Sequence, residues 1–370
     1  MAINSALGII FPNSYDEVVP DLTALRAMGS VPYAGRYRLI DLPLSAMVNA
    51  GITQVGVITN TNYRSLMDHL GNGKPWDLSR KNEGLTILPP FSNPDVGMSI
   101  NKLAALYGSI EYITRSNKDY VVLTDCNVVC GIDLEDMIKF CSRKNADIAF
   151  ATANGLPANI KNATEIIYDD TGKISELKRL DYFSKAVDYS MKICVIRRVL
   201  LERLLHEANA KRIATFEDLF ITNMTNLNMY AYKYEGYCKV IASTASYYEA
   251  CMDLLNPEIR KSLFCPDRPV YTKTGDRAPA IYGISASVKN SLIADGCKIE
   301  GEVENCIIFR GVHIGKGAKV KNSIIMQDSV IDNNTEVECV ITDKNVTIRP
   351  SKKLCGASNY PVYIGKGIVI

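Results

Sequence analysis

Residues 6–41 read ALGIIFPNSYDEVVPDLTALRAMGSVPYAGRYRLID, and this stretch indicates the type of fold. It opens with an apolar run, Leu7–Phe11, which is short enough for a buried strand. In an α/β domain the loop after the first strand usually holds a nucleotide phosphate on backbone N–H groups that glycines expose. Here the loop has no glycine and carries Asp16 and Glu17, which would repel a polyphosphate. The stretch therefore predicts a nucleotide-binding fold whose phosphate site lacks the groups that bind phosphate.

The composition is that of an ordinary globular protein, with 47% hydrophobic and 22% charged residues. A chain of 370 residues is too long for one compact core, so two domains are expected. The net charge of +2 argues against a nucleic-acid binder that works by bulk electrostatics. No basic segment precedes an apolar one at the N-terminus, and no apolar run approaches the roughly 18 to 20 residues of a membrane span. We therefore expect a cytoplasmic protein with no membrane contact.

The eleven cysteines contain no CxxC pair, and the three histidines lie far apart in the chain. The closest cysteines, Cys126 and Cys130, lie in an apolar run without a nearby histidine. This pattern favours free, mostly buried thiols in a reducing compartment. The spacing typical of zinc ligands is absent, so no metal site is predicted.

Short apolar runs alternate with segments of helical periodicity along the first 255 residues, which predicts βαβ units and a mainly parallel sheet. The predicted strands after the first are Gln54–Thr59, Tyr120–Leu123, Ile148–Ala153, Lys192–Ile196 and Met229–Tyr234, with a hairpin over Ile166–Leu177. The predicted helices are Leu44–Ala50, Tyr63–Leu70, Ile100–Ile113, Leu134–Cys141 with Asp133 as N-cap, Arg197–Ala208 and Tyr247–Leu255.

A long polar segment, GNGKPWDLSRKNEGLTILPP, occupies residues 71–90 and contains the only tryptophan, Trp76. Loops of this length inside a compact domain are usually functional. Gly71, Asn72, Gly73 and Trp76 are its candidate functional residues. The alternative is that Trp76 only pins the loop to the core, and the sequence leaves both interpretations open.

The C-terminal third has a different pattern, in which β-branched residues recur at six-residue intervals. The pairs are Ile293 with Ile299, Ile314 with Val320, and Ile331 with Val337, with glycine or asparagine between them. This hexapeptide period is typical of a left-handed parallel β-helix. Such coils often mediate assembly, because they expose a terminal edge and flat faces.

Three segments resemble the ADP-glucose pyrophosphorylase family, also called glucose-1-phosphate adenylyltransferase. They are GRYRLIDLPLS (35–45), the 71–90 loop, and EGYCKVIASTASYYEACMDLL (235–255). The resemblance runs over nearly the whole chain and is weakest in 155–190 and 256–290. It implies a Rossmann-like nucleotidyltransferase domain at 1–255, a linker at 256–285 and a left-handed parallel β-helix at 286–370.

The chain departs from the family where the catalytic enzyme does its chemistry. The family's Gly-Gly-x-Gly-x-Arg-Leu loop corresponds here to Asn13–Val19, and its second metal-binding aspartate corresponds to Val240. The first metal-binding aspartate corresponds to Asp125 or Asn127, and the register leaves both open. Three further motifs are also altered: Lys-Pro is Met28-Gly29, Gly-Thr-Ala is Asn101-Lys102-Leu103, and Ser-Met-Gly is Ser190-Met191-Lys192. The resemblance thus implies no catalytic residue and no metal in this chain, with Mg²⁺ in a catalytic partner.

These departures resemble the family's non-catalytic regulatory subunit, which joins the catalytic subunit in a heterotetramer for glycogen synthesis. By this resemblance Arg26, Arg36 and Arg38 lie at a site for a sugar-phosphate effector such as fructose bisphosphate. Guanidinium groups match phosphate oxygens well. The alternative is that Arg36 and Arg38 only pair with acids such as Asp41.

Other functions stay open at this stage. One is an active adenylyltransferase that uses Asp125 in an altered metal site. Others are a free-standing sugar-phosphate sensor and a hexapeptide acyltransferase with His313 as its histidine, although a packing or solvent-facing histidine is favoured there. The chain alone is predicted to be inactive or nearly so.

Overall fold

The computed structural model describes residues 6–89, 101–155, 163–180 and 186–370. Ile100, which begins one predicted helix, and Pro90, which ends the 71–90 loop, lie outside these residues. An α/β unit comes first in the chain. Its strands are β1 (Ala6–Phe11), β2 (Pro32–Tyr33), β3 (Tyr37–Arg38), β4 (Gln54–Ile58), β5 (Gly84–Leu88), β6 (Tyr120–Asp125), β7 (Val128–Cys130), β8 (Ile148–Gly155), β9 (Ala163–Tyr168), β10 (Ile174–Leu180), β11 (Val187–Arg197), β12 (Met229–Lys233) and β13 (Cys238–Val240). Its α-helices are α1 (Pro20–Thr23), α2 (Asp41–Asn49), α3 (Arg64–Leu70), α4 (Lys102–Gly108), α5 (Ile110–Thr114), α6 (Leu134–Arg143), α7 (Arg198–Lys211), α8 (Phe216–Asn223), α9 (Thr244–Met252) and α10 (Pro257–Leu263).

Most strands of this unit form one sheet in the order β10-β9-β11-β6-β1-β4-β5, with β8 and β12 continuing from β11. The four neighbouring strands β6, β1, β4 and the edge strand β5 are parallel, and Phe11 lies directly beside Asp125 at the carboxyl ends of β1 and β6. All of β1 is buried, because helices pack an apolar cluster against each face of the sheet. The predicted mainly parallel sheet is confirmed in these strands, whereas β11 runs antiparallel to its neighbours β6 and β8.

Two local predictions are wrong and the others hold. Residues 71–90 do not form one loop, since Gly84–Leu88 form β5, which pairs parallel with β4. Leu85 and Leu88 of this strand pack against the apolar clusters on the two faces of the sheet, which explains why the end of a mostly polar segment is a strand.

The hairpin over Ile166–Leu177 is confirmed, since β9 and β10 pair antiparallel. Asp133 caps α6, because its carboxylate accepts the Asp136 N–H at 3.0 Å. The continuous helix predicted over Ile100–Ile113 is wrong, since Ser109 separates α4 from α5. The Ser109 hydroxyl donates to the carbonyl four residues earlier (3.2 Å), a bond that often bends helices.

The C-terminal part is a parallel β-helix, as the hexapeptide period predicts. Between residues 281 and 364, all of which are described, it forms three sheets of five parallel strands each. Ile299, Ile314 and Ile331 stack in register inside the coil, fully buried. The strands are β14 (Ile281–Tyr282), β15 (Ser287–Lys289), β16 (Leu292–Ile293), β17 (Lys298–Ile299), β18 (Glu302–Glu304), β19 (Ile307–Ile308), β20 (His313–Ile314), β21 (Lys319–Lys321), β22 (Ile324–Ile325), β23 (Val330–Ile331), β24 (Glu336–Glu338), β25 (Val340–Thr342), β26 (Thr347–Ile348), β27 (Lys353–Cys355) and β28 (Val362–Ile364).

The stretch 256–285, predicted to be a linker, contains α10 at its start and β14 near its end. The segment between them runs beside α2, where the Tyr271 N–H donates to Ser45 Oγ at 2.9 Å. The domain boundaries at 255 and 286 stay a prediction.

The β-helix packs against the α/β unit through a third apolar cluster. Ile307, Ile324 and Ile341 occupy the same position in successive coils and share this cluster with Tyr247 and Tyr248 of α9. The Tyr248 hydroxyl also donates to a backbone carbonyl of the β-helix at 2.6 Å. Burying apolar area stabilises the contact in proportion to that area, so this face holds the two units against each other.

One exposed face of the β-helix carries charges that alternate from coil to coil; we call it the charge ladder. Lys321 Nζ lies 3.2 Å from Glu304, and Lys353 Nζ lies 2.8 Å from Glu336. Opposite charges that face each other across strands stabilise a sheet by roughly 0.2–1 kcal/mol per pair. The rows of the ladder, in coil order, are Lys289, Glu302 with Glu304, Lys319 with Lys321, Glu336 with Glu338, and Lys353.

Replacing both Lys319 and Lys321 by glutamate places three acidic rows side by side. We expect the free energy of unfolding to fall by about 1–3 kcal/mol, because attractive cross-strand pairs become repulsive. Added salt should restore part of the loss. Urea unfolding at low and high salt measures both effects. The matched double glutamine variant should lose less, since it removes attraction without adding repulsion; equal losses in the two variants would contradict the electrostatic explanation.

Candidate functional site

The loop after β1, where a nucleotide phosphate would be expected, is held by its own side chains. The Asn13 amide donates to Asp16 Oδ2 at 2.7 Å and to the Thr61 carbonyl at 2.9 Å. Asp16 Oδ1 accepts the Met28 N–H at 2.6 Å. Burial raises the pKa of the Asp16 carboxyl to about 6. A carboxylate of the chain itself thus accepts the donors that this loop offers.

Asp125, at the carboxyl end of β6, is the centre of a second set of contacts. Its Oδ1 receives Lys102 Nζ at 2.6 Å and the Ser14 hydroxyl at 2.8 Å. Only 2% of Asp125 is exposed, and its Oδ2 has no hydrogen-bond partner among the described residues. The Lys102 ammonium also lies 4.5 Å from the centroid of the Phe11 ring, within cation–π range. An internal cation therefore neutralises the Asp125 carboxylate at this strand end.

These residues do not form a set of Mg²⁺ ligands. Mg²⁺ takes near-octahedral oxygen coordination, usually with one or two carboxylates. Asp125 already binds an ammonium, and Asn127 is buried beside the Ile241 carbonyl. Val240, which by the resemblance corresponds to the second aspartate, offers no ligand atom on its side chain. Within the described part of the chain, no group of three His, Cys, Asp or Glu side chains is placed to hold a metal ion.

The motif at residues 190–192 is also altered in conformation and charge. Lys192 has φ of 57°, in the left-handed region that favours glycine, the residue that the resemblance implies for this position. Its ammonium forms an ion pair with Glu217 of α8, and its N–H donates to Ser190 Oγ at 3.2 Å. The Lys192 side chain and its salt bridge with Glu217 thus occupy space that a glycine at this position would leave open.

A second group of charged residues lies at the junction between the α/β unit and the β-helix. Arg26 is buried, and its Nη2 donates to both carboxylate oxygens of Asp343, at 2.9 and 2.7 Å. Asp343 also accepts the Tyr363 hydroxyl at 2.9 Å. Arg26 Nη1 has no partner among the described residues. Arg26 is therefore an ionic tie between the two units.

Arg38 and Lys344 lie close enough to Arg26 for its positive charge to affect the pKa of each. Arg38 Nη1 donates to the carbonyl and the hydroxyl of Ser65, at 2.5 and 2.9 Å. Burial lowers the pKa of Arg38 to about 10, and Arg26 adds to the effect. Burial, together with Arg38 and Arg26, lowers the pKa of Lys344 to about 8. We call Arg26, Arg38 and Lys344 the cationic junction. Burial first, and repulsion between the cations second, disfavour the charged forms of Arg38 and Lys344, while Asp41 and Asp343 offset part of the effect. An anion bound beside Arg38 and Lys344 would therefore favour their charged forms.

Of the three arginines predicted for an effector site, Arg26 and Arg38 are brought together and Arg36 is not. Arg36 is exposed, with its guanidinium 5.8 Å from the centroid of the Tyr37 ring. Tyr37 in turn stacks on Phe264. Arg38 uses its backbone N–H, and not its guanidinium, to bind Asp41 (3.0 Å).

The 71–90 loop reaches the cationic junction through a short chain of contacts. Trp76 is 1% exposed, and its ring meets the edge of His69 at a centroid distance of 5.7 Å. His69 Nε2 lies 2.5 Å from Asp41 Oδ1, and Asp41 holds the backbone of Arg38. Gly73 is buried, whereas Gly71 and Asn72 are exposed. Trp76 therefore anchors the loop in the core, and the exposed residues form its outer surface.

Sequence reasoning missed Asp343, Lys344 and Tyr363, and it missed the ion pair of Lys102 with Asp125. The junction residues carry no local signal, because an acid and a lysine in a hexapeptide turn are ordinary surface residues. His313, considered above as a catalytic residue, lies 3.1 Å from Glu300 Oε2 on the outside of the coil.

Comparisons with known proteins agree with this architecture. Residues 19–175 match the family model described as nucleotidyl transferase, and residues 281–358 match the one described as GlmU-like, C-terminal hexapeptide. The chain is 36% identical to the glycogen biosynthesis protein GlgD of Bacillus subtilis, covering 99% of this chain and 97% of that protein. It is 33% identical to the glucose-1-phosphate adenylyltransferase of Clostridium perfringens (strain 13), covering 84% of this chain and 80% of that protein.

The chain belongs to the ADP-glucose pyrophosphorylase family. GlgD of Geobacillus stearothermophilus is a further relative, 36% identical over 99% of this chain and 97% of its own length. The match to the hexapeptide family model, together with the three parallel sheets, identifies the C-terminal coil as a left-handed parallel β-helix. Among the described residues, no helix has the length and apolar character that crossing a bilayer requires.

Proposed function

We propose that this chain is a regulatory, catalytically silent subunit of ADP-glucose pyrophosphorylase in bacterial glycogen biosynthesis. The observation that carries the proposal is the bond of Lys102 to Asp125 at the end of β6. It puts a fixed ammonium on the carboxylate that a catalytic metal would need. Relatives named as glycogen biosynthesis protein GlgD align over almost the whole chain, which supports the pathway.

Adenylyl transfer requires cations and N–H donors aimed at the charge that develops on the phosphates. Removing one such donor typically costs on the order of 10²–10³ in rate, and donors of one site do not act independently. Here Asp16 replaces a glycine-rich loop with negative charge, and Val240 replaces a metal ligand. We infer that the chain binds no Mg²⁺ of its own and that Mg²⁺ acts in a catalytic partner.

The proposed partner is the catalytic subunit of ADP-glucose pyrophosphorylase, in a cytoplasmic heterotetramer. The outer surface of the 71–90 loop, with Gly71 and Asn72, is the proposed contact through which the effector state reaches that partner. The contacts from Trp76 through His69 and Asp41 to Arg38 support this proposal, because they join the loop to the cationic junction.

The cationic junction is the proposed binding site for a sugar phosphate. Arg38 and Lys344 supply the positive charge, and the Asp343 carboxylate already occupies two donor positions of Arg26. An anion would therefore bind mainly through Arg38 and Lys344, while Arg26 keeps the two units together. Arg36, exposed beside Tyr37, would contribute at most from the rim.

An assay of the purified chain with ATP, Mg²⁺ and glucose 1-phosphate tests the proposal. We expect ADP-glucose formation at least about 10³-fold below that of the catalytic subunit, because several transition-state contacts are missing together. Co-expression with that subunit should give a stable complex with changed turnover or activation. Appreciable synthesis by the chain alone would instead identify an active enzyme with an altered metal site. Failure to associate would leave a free-standing sensor.

Arg38→Ala is expected to weaken binding of fructose bisphosphate about 10- to 100-fold, since hydrogen bonds to charged groups are worth roughly 1.5–3 kcal/mol. Calorimetric titration measures the affinity, with Arg36→Ala as the matched variant that should change it little.

The affinity of the wild-type chain for fructose bisphosphate should also fall about tenfold from pH 7 to pH 9, because Lys344 loses its proton above its pKa of about 8. Lys344→Met should remove this pH dependence, and unchanged affinity in Arg38→Ala would refute the assignment.

A further inference from the structure

Two thiols face each other across the short antiparallel ribbon formed by β7 and β13. The register places Cys238 opposite Cys130, and the Ile241 N–H donates to the Asn127 carbonyl at 2.7 Å. Ile241 and Asn127 are therefore a hydrogen-bonded pair. Hydrogen-bonded and non-hydrogen-bonded pairs alternate along an antiparallel ladder, and the two cysteines lie three positions further along it. Cys130 and Cys238 are therefore a non-hydrogen-bonded pair. The Cα atoms of such a pair lie roughly 4.5 Å apart, at the short end of the range for disulfides.

The two thiols are both free and differ in exposure. Cys130 is buried and Cys238 is half-buried, with the Tyr189 hydroxyl 3.7 Å from Cys238 Sγ. Burial raises the pKa of Cys130 strongly and that of Cys238 to about 11. Cys130 also lines a cavity of about 300 Å³ between α2, the start of α6 and the segment that follows α10. Cys265 lines the same cavity.

We propose that Cys130 and Cys238 form a redox modification site, which closes to an intramolecular disulfide on reaction with a small-molecule disulfide such as oxidised glutathione. The Cys238 thiolate attacks one sulfur of oxidised glutathione, forms a mixed disulfide and releases one glutathione thiolate. The Cys130 thiolate then attacks Cys238 Sγ and releases the second glutathione. Two electrons pass from the cysteines to the glutathione disulfide, and the two cysteine protons end on the two glutathione thiols.

The disulfide would join β7, which follows the strand that ends at Asp125, to β13, which precedes α9. Helix α9 packs on the β-helix through Tyr248. A disulfide here links the strand-end site covalently to the segment that holds the β-helix. The inference stands on the strand register and on the partial exposure of Cys238, and it does not depend on the proposed regulatory role.

The test is oxidation of the full-length native chain with oxidised glutathione, followed by alkylation and peptide mapping by mass spectrometry. We expect a linked peptide pair containing Cys130 and Cys238, two fewer free thiols per chain, and reversal by dithiothreitol. The rate should rise about tenfold per pH unit between pH 7 and pH 9, because both thiols titrate above this range. Cys238→Ser should abolish the linked pair, whereas Cys355→Ser, which removes an exposed thiol, should preserve it.

Two results would overturn the proposal. One is a native chain that forms only mixed disulfides with glutathione, without a bond between Cys130 and Cys238. The other is a bond from Cys130 to Cys265 across the cavity, since the ribbon would then not be the reactive pair. A chain unfolded in urea and treated in parallel shows whether the bond depends on the native register. If the Cys130–Cys238 bond forms only in the unfolded chain, the proposal is also overturned.

Discussion

Asp343→Ala is expected to lower the free energy of unfolding by about 3–5 kcal/mol, because it leaves the Arg26 guanidinium buried without its counter-charge. The side chains of this pair are 4% and 3% exposed, and both carboxylate oxygens bind Arg26. Breaking a buried pair is far more costly than never having it, since one charge stays desolvated. Urea denaturation followed by circular dichroism measures the loss.

Two controls make the test specific. Asp328→Ala removes the partner of Arg277, an ion pair in the preceding coil whose side chains are about one-third exposed. This exposed pair should be worth only about 0–1 kcal/mol. The double variant Arg26→Met with Asp343→Leu should recover most of the stability, because it removes both charges at once. A loss for Asp343→Ala no larger than that for Asp328→Ala would show that Arg26 does not depend on its buried partner.

Lys102→Met is expected to destabilise the chain by about 3–5 kcal/mol at pH 7, because it leaves the Asp125 carboxylate buried without a cation. Asp125 is 2% exposed and receives Lys102 Nζ at 2.6 Å. A lone buried carboxyl takes up a proton, so its pKa in the folded variant rises above the unfolded value. The folded variant then binds more protons than the unfolded chain, and lowering the pH should recover part of the stability. Urea denaturation at pH 7 and pH 5 measures this recovery.

The double variant Lys102→Met with Asp125→Leu serves as the control and should lie close to the wild type in stability. Titration of Lys102→Met with Mn²⁺ adds a separate measurement. Weak binding in the variant and none in the wild type would indicate that the ammonium stands in the place of a metal. The rate of ADP-glucose synthesis should be no higher in the variant than in the wild type, since Val240 and the acidic loop are unchanged. A Lys102→Met variant as stable as the wild type would contradict the assigned charge pairing.

Elements whose residues interact with near neighbours in the chain were predicted well. The β-helix follows from isoleucine and valine at six-residue intervals, because each side of a coil repeats the same inward position. The N-cap at Asp133 follows from one short contact to Asp136. The helix over Ile100–Ile113 was wrong in one detail, since apolar spacing does not register the competing hydroxyl of Ser109.

Residues whose role depends on distant partners were predicted less well. Arg26 was predicted as an effector ligand by the resemblance alone, and no feature of the sequence indicates that it binds a carboxylate 317 residues later in the chain. Lys102 was noted only as a departure from a family motif, whereas it neutralises Asp125. The Cys130–Cys238 pair lay among eleven scattered thiols, and no spacing rule connects two cysteines on opposite strands.

The amino-acid pattern alone specifies the two kinds of architecture and the acidic, glycine-free loop after β1, because burial periodicity and loop composition are properties of short segments. Long-range packing specifies which charges meet: Lys102 with Asp125, Arg26 with Asp343, and Arg38 near Lys344. Electrostatic energy depends on distance in space and on desolvation, and neither quantity is readable from separation along the chain.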